Sequence, residues 1–151
     1  MSDYNAIVIP VEPRFVPKKA AVAKAVAILR KLAPKADEIE PVIEETVVFR
    51  DCGENFERIR CPACRAEIDL DDWQEWMDGD WSEARGFSLR PIVVPCCRRS
   101  MTLNELAYEE AQGFSRFALY ARNPDKILSR AALAKLEAAL GCKLRIIHNR
   151  V

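Results

Sequence analysis

Two pairs of cysteines constrain the fold of this chain more than any other feature of its sequence. Cys61 and Cys64 enclose a Pro-Ala dipeptide, and after residues 65–95 the adjacent pair Cys96 and Cys97 follows a proline. Zinc prefers four soft ligands in a tetrahedron, and two cysteines separated by two residues can reach one ion across a tight turn. Four thiolates leave no position for a water molecule, so such an ion stabilises structure and activates no nucleophile. The sequence therefore predicts a structural Zn²⁺ site formed by all four cysteines.

The second cysteine pair has an unusual spacing for a zinc site. Neighbouring residues of a strand point to opposite faces, so Cys96 and Cys97 can both bind one ion only if the chain turns there. The proline before them permits such a turn. If one of the two does not bind, Cys52 or His148 is the substitute ligand. The alternative interpretation is a redox-active or simply reduced pair of thiols.

The expected compartment favours metal binding over disulfides. The N-terminal residues lack the basic segment and apolar run of a signal peptide, and no apolar run approaches membrane-spanning length. We therefore expect a cytoplasmic protein without membrane contacts, in which cysteines bind metal or stay as buried thiols.

The elements expected outside the cysteine region form two halves with the same layout. Each half reads strand–helix–strand, with elements at 6–9, 17–33 and 39–50, and then at 114–122, 123–140 and 143–148. This order predicts an α+β fold, a ferredoxin-like split β-α-β sandwich with four antiparallel strands and both helices on one face. Residues 1–50 and 113–151 are the predicted sandwich, and residues 51–112 are a zinc-ribbon-like insert between its second and third strands.

Proline and glycine mark the ends of the two sandwich helices. Pro17 opens the first helix and Pro34 stops it. Asn123 followed by Pro124 predicts the N-cap and first position of the second helix, and Gly141 predicts its left-handed end.

Capping signals predict two further helices inside the insert. Asp69 is the expected N-cap of a short acidic helix that ends just before Gly79. Thr102 and Glu105 have the spacing of a capping box, which predicts a helix to about Ala111.

Charge is distributed unevenly along a chain whose 23 acidic and 23 basic residues balance. Residues 67–83 contain many carboxylates, no basic residue and every tryptophan of the chain. One interpretation is a surface that docks a basic protein through Asp71, Asp72, Glu75 and the more exposed Trp81. The other is that the helix tryptophans form the core of the insert and the carboxylates are its solvated face.

The sequence offers little support for catalysis. His148 is the only histidine, and we expect it to pack on the last strand. No serine or cysteine lies in a nucleophile motif, and five glycines provide no phosphate-binding loop. The prediction is a non-enzymatic protein. Whether a small-molecule cleft lies between the insert and the sheet is a question that the sequence leaves open.

Nucleic-acid binding is the main rival function. Ferredoxin-like sheets can bind RNA, and zinc ribbons often accompany nucleic-acid machinery. Six arginines could form a basic strip, namely Arg98, Arg99, Arg116, Arg122, Arg145 and Arg150. The acidic segment would repel phosphate, and the RNA-recognition aromatic signature is absent.

Several of these motifs together resemble a family of uncharacterised bacterial zinc-ribbon-containing proteins. They are Cys-Pro-x-Cys at 61–64, the tryptophan helix at 73–78, Pro-Cys-Cys at 95–97, Leu-Asn-Glu-Leu at 103–106, Gly-Phe-Ser-Arg-Phe at 113–117 and Asn-Pro at 123–124. The resemblance covers about the last two thirds of the chain and implies a cytosolic zinc module without an established activity. The cysteine turns also resemble zinc-ribbon knuckles, in which glycine often follows the second cysteine. Arg65 and Arg98 stand at that position here, so we expect strained turns.

The sequence thus predicts a cytoplasmic, zinc-binding protein-interaction module that binds another protein through the acidic tryptophan segment or the open face of the sheet. A basic protein is one candidate partner, and an inhibitor-like or immunity-like protein is one instance of such a function. A nucleic-acid-binding zinc-ribbon protein and a thiol-redox or metal sensor are the alternatives. The identity of the partner and the oligomeric state stay open.

Overall fold

The computed structural model describes residues 3–151 as a mixed α/β protein. Its helices are α1 (Lys19–Leu32), α2 (Leu70–Asp80) and α3 (Arg130–Leu140). Its strands are β1 (Tyr4–Pro10), β2 (Glu38–Arg50), β3 (Ile59–Arg60), β4 (Trp81–Ser82), β5 (Gly86–Phe87), β6 (Ile92–Val93), β7 (Ser100–Met101), β8 (Ala107–Tyr108), β9 (Gly113–Arg122) and β10 (Leu144–Arg150). Met1 and Ser2, which begin the segment in which we expect no signal peptide, lie outside the described residues. Within residues 3–151, no helix has the length and apolar character needed to cross a membrane.

The largest sheet contains six strands in the order β10-β1-β9-β2-β5-β4. The four strands expected outside the cysteine region are present as β1, β2, β9 and β10, and their pairings are all antiparallel. The register of β2 against β9 shifts between Ile43 and Val48. Just at this irregularity β5 joins β2 in parallel through the pair Val47↔Gly86. The cysteine-bearing segment therefore continues the sheet through its own β4–β5 hairpin.

Helices α1 and α3 pack on one face of this sheet. Leu29 of α1 and Leu136 of α3 are fully buried in one cluster with Val8 of β1 and Phe117 of β9. Burying such side chains stabilises the fold by about 1.5–3 kcal/mol each. The opposite face of the same strands belongs to a different cluster, which includes Cys52 from beyond the end of β2.

The C-terminal helix begins later than Asn123 and Pro124 suggest. It starts at Arg130 with Ser129 as the N-cap. Asn123 has a left-handed φ of 47°, whereas an N-cap residue takes an extended conformation. Its side-chain amide donates to the carboxylates of Asp3 and Asp37, so Asn123 fastens the end of β9 instead of starting a helix. Gly141 does end α3 in the left-handed conformation, as expected.

The acidic helix α2 begins as expected but continues three residues beyond the expected end at Met77. Asp69 is the N-cap, and its carboxylate accepts backbone N–H groups of the first turn. Gly79 lies inside the helix, which continues to Asp80. The buried carboxylate of Asp80 accepts the N–H groups of Leu89 and Arg90, and this contact fixes the end of α2 to the loop after β5.

The expected helix from Thr102 to about Ala111 is not formed. The capping box between Thr102 and Glu105 is present, but it starts a single 3₁₀ turn, Leu103–Glu105. The chain then becomes extended because Ala107 and Tyr108 form β8, which pairs with β3. Strand pairing across the insert thus overrides the local helix signal.

A second hydrophobic core joins the cysteine-bearing segment to the sheet. Val47 of β2 and Phe114 of β9 are buried in it together with Ile59, Cys61 and Met77 from the segment. Its other buried members are Ile68, Val94, Met101, Leu103 and Leu106. The ends of β2 and β9 are therefore part of the core that lies beneath the cysteines.

The outer edge of β2 is largely unpaired. Apart from the contact of Val47 with Gly86, no pair is recorded on that side of β2 among residues 3–151. Glu38, Glu40 and Pro41 are exposed along this edge. The edge thus carries charged side chains and a residue without an N–H donor.

Gly86 is the glycine on which the attachment of β5 depends. Its φ is 64°, and an added Cβ would lie 2.5 Å from the carbonyl oxygen of Val47. Gly86→Ala should lower the free energy of unfolding by about 2 kcal/mol or more, because it adds a backbone overlap to the left-handed penalty. Gly79→Ala is the matched control: nothing lies within 4 Å of its added Cβ inside α2, so it should raise that free energy by about 0.5–1 kcal/mol. Urea unfolding of both variants checks this, and equal effects would contradict the close approach.

Candidate metal centre

The four cysteines of the two pairs converge in space. The Sγ atoms of Cys61, Cys64, Cys96 and Cys97 all lie within 4.8 Å of one another, close enough to bind a metal ion. Cys61 Sγ and Cys97 Sγ are 3.7 Å apart. A disulfide would bring two sulfurs to about 2.05 Å, whereas tetrahedral zinc with ligands at about 2.3 Å separates its sulfurs by about 3.8 Å. The arrangement therefore fits four ligands around one ion, and all four cysteines are free thiols.

The first pair lies on a tight turn at the end of β3. The backbone N–H of Arg65 donates to the carbonyl oxygen of Cys61 at 2.9 Å, and the N–H of Cys61 donates to the carbonyl oxygen of Ala66 at 2.9 Å. Arg65 has a φ of 67°, the left-handed conformation expected at the position after Cys64. These bonds bend the chain so that both sulfurs point to the same side.

The second pair lies on a turn with the same backbone pattern. Here the N–H of Arg98 donates to the carbonyl oxygen of Val94 at 2.8 Å, and the N–H of Val94 donates to Arg99 at 3.0 Å. Arg98 has a φ of 60°, so it matches Arg65 in the first turn. Both turns were expected to be strained, and both place an arginine in the left-handed region.

The match between the two turns explains the unusual spacing of Cys96 and Cys97. Val94 occupies the position that Cys61 has in the first turn, and both residues are fully buried. Cys97 corresponds to Cys64, and Cys96 occupies the position of Ala63. The second turn thus supplies its extra sulfur from its third position instead of its first.

A repeated sequence pattern signals this match. Segments 59–68 and 92–101 share Ile-x-x-Pro-x-Cys-Arg at the same relative positions. Both flank their turn with paired strands, through the bridge Arg60↔Glu67 and the pair Val93↔Ser100. The repeat places Val94 at the position of Cys61 and so identifies it as a structural residue of the site. The spacing of the cysteines alone does not identify Val94.

Hydrogen bonds and loss of hydration shift the pKa values of two of the thiols in opposite directions. Backbone N–H groups, first that of Cys64 and then that of Ala63, lower the pKa of Cys61 to about 7 against the opposing effect of burial. Loss of hydration, followed by the neighbouring thiols Cys64 and Cys61, raises the pKa of Cys96 to about 12. A bound cation has to displace the proton of Cys96, so metal affinity should increase with pH.

The substitute ligands proposed from the sequence lie elsewhere. Cys52 is buried against the sheet, and desolvation raises its pKa to about 11. The Nδ1 atom of His148 is 2.6 Å from the hydroxyl of Tyr4, and the two rings stack. Within the described chain, the only cluster able to hold a metal is that of the four paired cysteines.

The acidic tryptophan segment divides into a packed part and an exposed part. Trp73 packs in the second core and donates its Nε1–H to the Tyr108 hydroxyl at 3.2 Å. Asp71 and Glu75 are exposed, and Trp81 is 51% exposed. The remaining residue of the expected docking set, Asp72, is half-buried and also lies on α2. The structure thus brings all four onto or beside α2, while the helix tryptophans serve the core.

Four of the six arginines of the suggested nucleic-acid strip lie in three different surroundings. Arg122 forms an ion pair with Asp3 at 3.0 Å. The half-buried Arg145 donates to the carbonyl oxygen of Gln112 at 2.8 Å, and burial lowers its pKa. Arg98 and Arg99 lie instead on the second cysteine turn. These contacts separate the positive charges among an ion pair, the protein interior and the metal site.

The equivalence of Val94 and Cys61 can be tested by moving a ligand. Cys96→Ala should weaken metal binding by about 100-fold, because roughly 10–16 kcal/mol of binding free energy is shared by four ligands. Adding Val94→Cys to that variant should restore most of the affinity, since it recreates the Cys-Pro-x-Cys pattern of the first turn. Cobalt titration measures both the affinity and, from thiolate absorption, the number of bound sulfurs. Failure of the double variant to recover would show that position 94 does not face the ion.

The comparisons with known proteins give no assignment for this chain. No protein-family model, no curated protein and no solved structure matches it. The interpretation of the site therefore rests on the geometry and chemistry of the four cysteines and of the residues around them.

Proposed function

We propose that this protein is a non-enzymatic, zinc-binding protein-interaction module of the cytoplasm. The observation that carries the proposal is the convergence of four thiols from two distant turns, with Sγ atoms within 4.8 Å. Thiolate-only sites select zinc among the common divalent ions, apart from iron–sulfur chemistry. With four protein ligands the ion has no open position, which fits a structural role and not a catalytic one.

The strand order supports a ferredoxin-like sandwich with a zinc-ribbon-like insert. The sequence β10-β1-β9-β2, all antiparallel and with α1 and α3 on one face, is the order that a split β-α-β fold requires. The insert then leaves after β2 and returns at β9. Two matching hairpin turns that present cysteines to one point are the arrangement of a zinc ribbon.

The surface proposed for protein binding is centred on α2. It combines the exposed carboxylates of Asp71 and Glu75 with the apolar Leu70 and Trp81, which are 47% and 51% exposed. Aromatic anchors with a charged rim are typical of binding hot spots. Because no basic side chain lies in residues 67–83, we propose a basic protein as the partner. An inhibitor-like or immunity-like protein is one form that this function takes.

Exposure of two ligands favours a redox or metal sensor as the second candidate. Cys64 and Cys96 are exposed, while Cys61 is buried. An oxidant such as hydrogen peroxide can therefore reach two of the four sulfurs without unfolding the core. Zinc release together with disulfide formation under mild oxidation would favour this candidate.

Removal of the metal should loosen the insert before the sandwich. The purified protein should contain one zinc ion per chain, and chelation should red-shift the fluorescence of Trp73 and Trp76, because both pack in the core beneath the cysteines. The helical circular dichroism from α1 and α3 should largely remain. Cys142→Ser, outside the cluster, should keep the zinc and serves as the control. Absence of both zinc and iron in metal analysis would remove the proposal.

Charge reversal on α2 should abolish binding of the proposed partner. The double variant Asp71→Lys with Glu75→Lys should fail to capture a basic protein that the native chain captures from cytosol. The affinity between the native chain and that purified partner should decrease as the salt concentration increases. The control is Glu40→Lys with Glu54→Lys, which reverses two exposed carboxylates away from α2. Capture that survives the α2 reversal would contradict the docking surface.

A further inference from the structure

A cleft lies where the sheet, the loop after β1 and the β4–β5 hairpin meet. It has a volume of about 470 Å³, within the range of small-molecule sites. Three arginines from these three parts of the chain line it, namely Arg14, Arg85 and Arg116. Glu45 is the one carboxylate in its lining, so the cleft carries an excess of two positive charges.

These three arginines differ from five others that the structure describes in residues 3–151, because no carboxylate lies within ion-pair distance of them. Five other arginines form ion pairs with carboxylates, namely Arg50, Arg58, Arg60, Arg90 and Arg122. No ion pair is recorded for Arg14, Arg85 or Arg116 in residues 3–151. Three positive charges that line one cleft with a single carboxylate favour the binding of an anion there.

Backbone contacts hold two of the guanidinium groups in place. Arg14 donates to the carbonyl oxygen of Ser88 at 2.7 Å, and Arg116 donates through Nε to the carbonyl oxygen of Glu44 at 3.0 Å. Each bond uses one nitrogen, so further N–H donors of each fork stay available for a ligand. The side chains are therefore oriented before any ligand arrives, which lowers the entropy cost of binding.

The backbone beside Arg85 is held against β2 by the pairing of Gly86 with Val47. Gly86 lies so close to β2 that its added Cβ would be 2.7 Å from the Thr46 hydroxyl oxygen. This contact places Arg85, Phe87 and the Thr46 side chain on the same cleft. The lining therefore combines three cationic side chains with a threonine and a phenylalanine.

We propose that this cleft binds a phosphate-bearing organic ligand, with the phosphate held by Arg14, Arg85 and Arg116. Arginine forks match phosphate oxygens in a bidentate manner. A phosphomonoester carries a charge of about −1.5 to −2 near neutral pH, which balances the excess charge of the cleft. Thr46 and Phe87 also line the cleft, so the organic part of the ligand would contact them. The site is separate from the cysteine cluster and does not depend on the function proposed above.

Two probes distinguish the sources of such a phosphate. ADP represents a free nucleotide, and a short single-stranded RNA represents a polynucleotide; both are titrated into the zinc-loaded, full-length protein by calorimetry. If ADP binds and pyrophosphate displaces it, the site is assigned to free nucleotides. Binding of RNA alone, still dependent on Arg85, assigns it to a nucleic-acid strand.

The variant that tests the site is Arg85→Ala. No hydrogen bond of the Arg85 side chain is recorded within residues 3–151, so the fold should persist, as circular dichroism can verify. Loss of one charge-assisted contact should weaken binding of the responding probe by about 10- to 100-fold. Arg116→Lys, which keeps the charge and loses the fork, should also weaken it.

Arg99→Ala is the matched control, because Arg99 is exposed on the second cysteine turn and does not line the cleft. It should change the affinity less than twofold. If neither probe binds saturably at millimolar concentration, or if Arg85→Ala and Arg99→Ala weaken binding equally, the cleft is not a phosphate site.

Discussion

The antiparallel pairing of β2 with β9 is the constraint on which the rest of this structure depends. These two strands are the longest of the sheet. Toward one end their side chains meet α1 and α3, and toward the other end Val47 and Phe114 enter the core beneath the cysteines. One ladder therefore aligns two hydrophobic cores. The cysteine-bearing segment is not suspended from a flexible linker but continues the same sheet.

The candidate metal centre builds on this alignment. Two hairpins with the same backbone pattern place four sulfurs together, although the second hairpin has valine where the first has cysteine. Val94 fills the hydrophobic position, and Cys96 brings a fourth thiol to the cluster from the exposed side of the turn. The backbone geometry of the turn is thus conserved between the two hairpins, while the choice of ligand position is not.

The four antiparallel strands outside the cysteine region and the convergence of the four cysteines could be predicted from the sequence, because long periodic segments and ligand chemistry are local properties. The start of α3 could not, because the role of Asn123 depends on Asp3 and Asp37, which are far away in sequence. The short 3₁₀ turn after Thr102 was likewise determined by the pairing of β8 with β3. The arginine cleft could not be predicted from the sequence either, because its three arginines come from separate parts of the chain.

The unpaired edge of β2 has a consequence for how copies of this protein meet. An open strand edge is a template on which another molecule can extend the sheet and begin to polymerise. Here exposed Glu38 and Glu40 would bring like charges together, and the exposed Pro41 interrupts the row of donors that an added strand would need. The edge thus resists amyloid-like stacking at high protein concentration while leaving the sheet open for the insert to join at Val47.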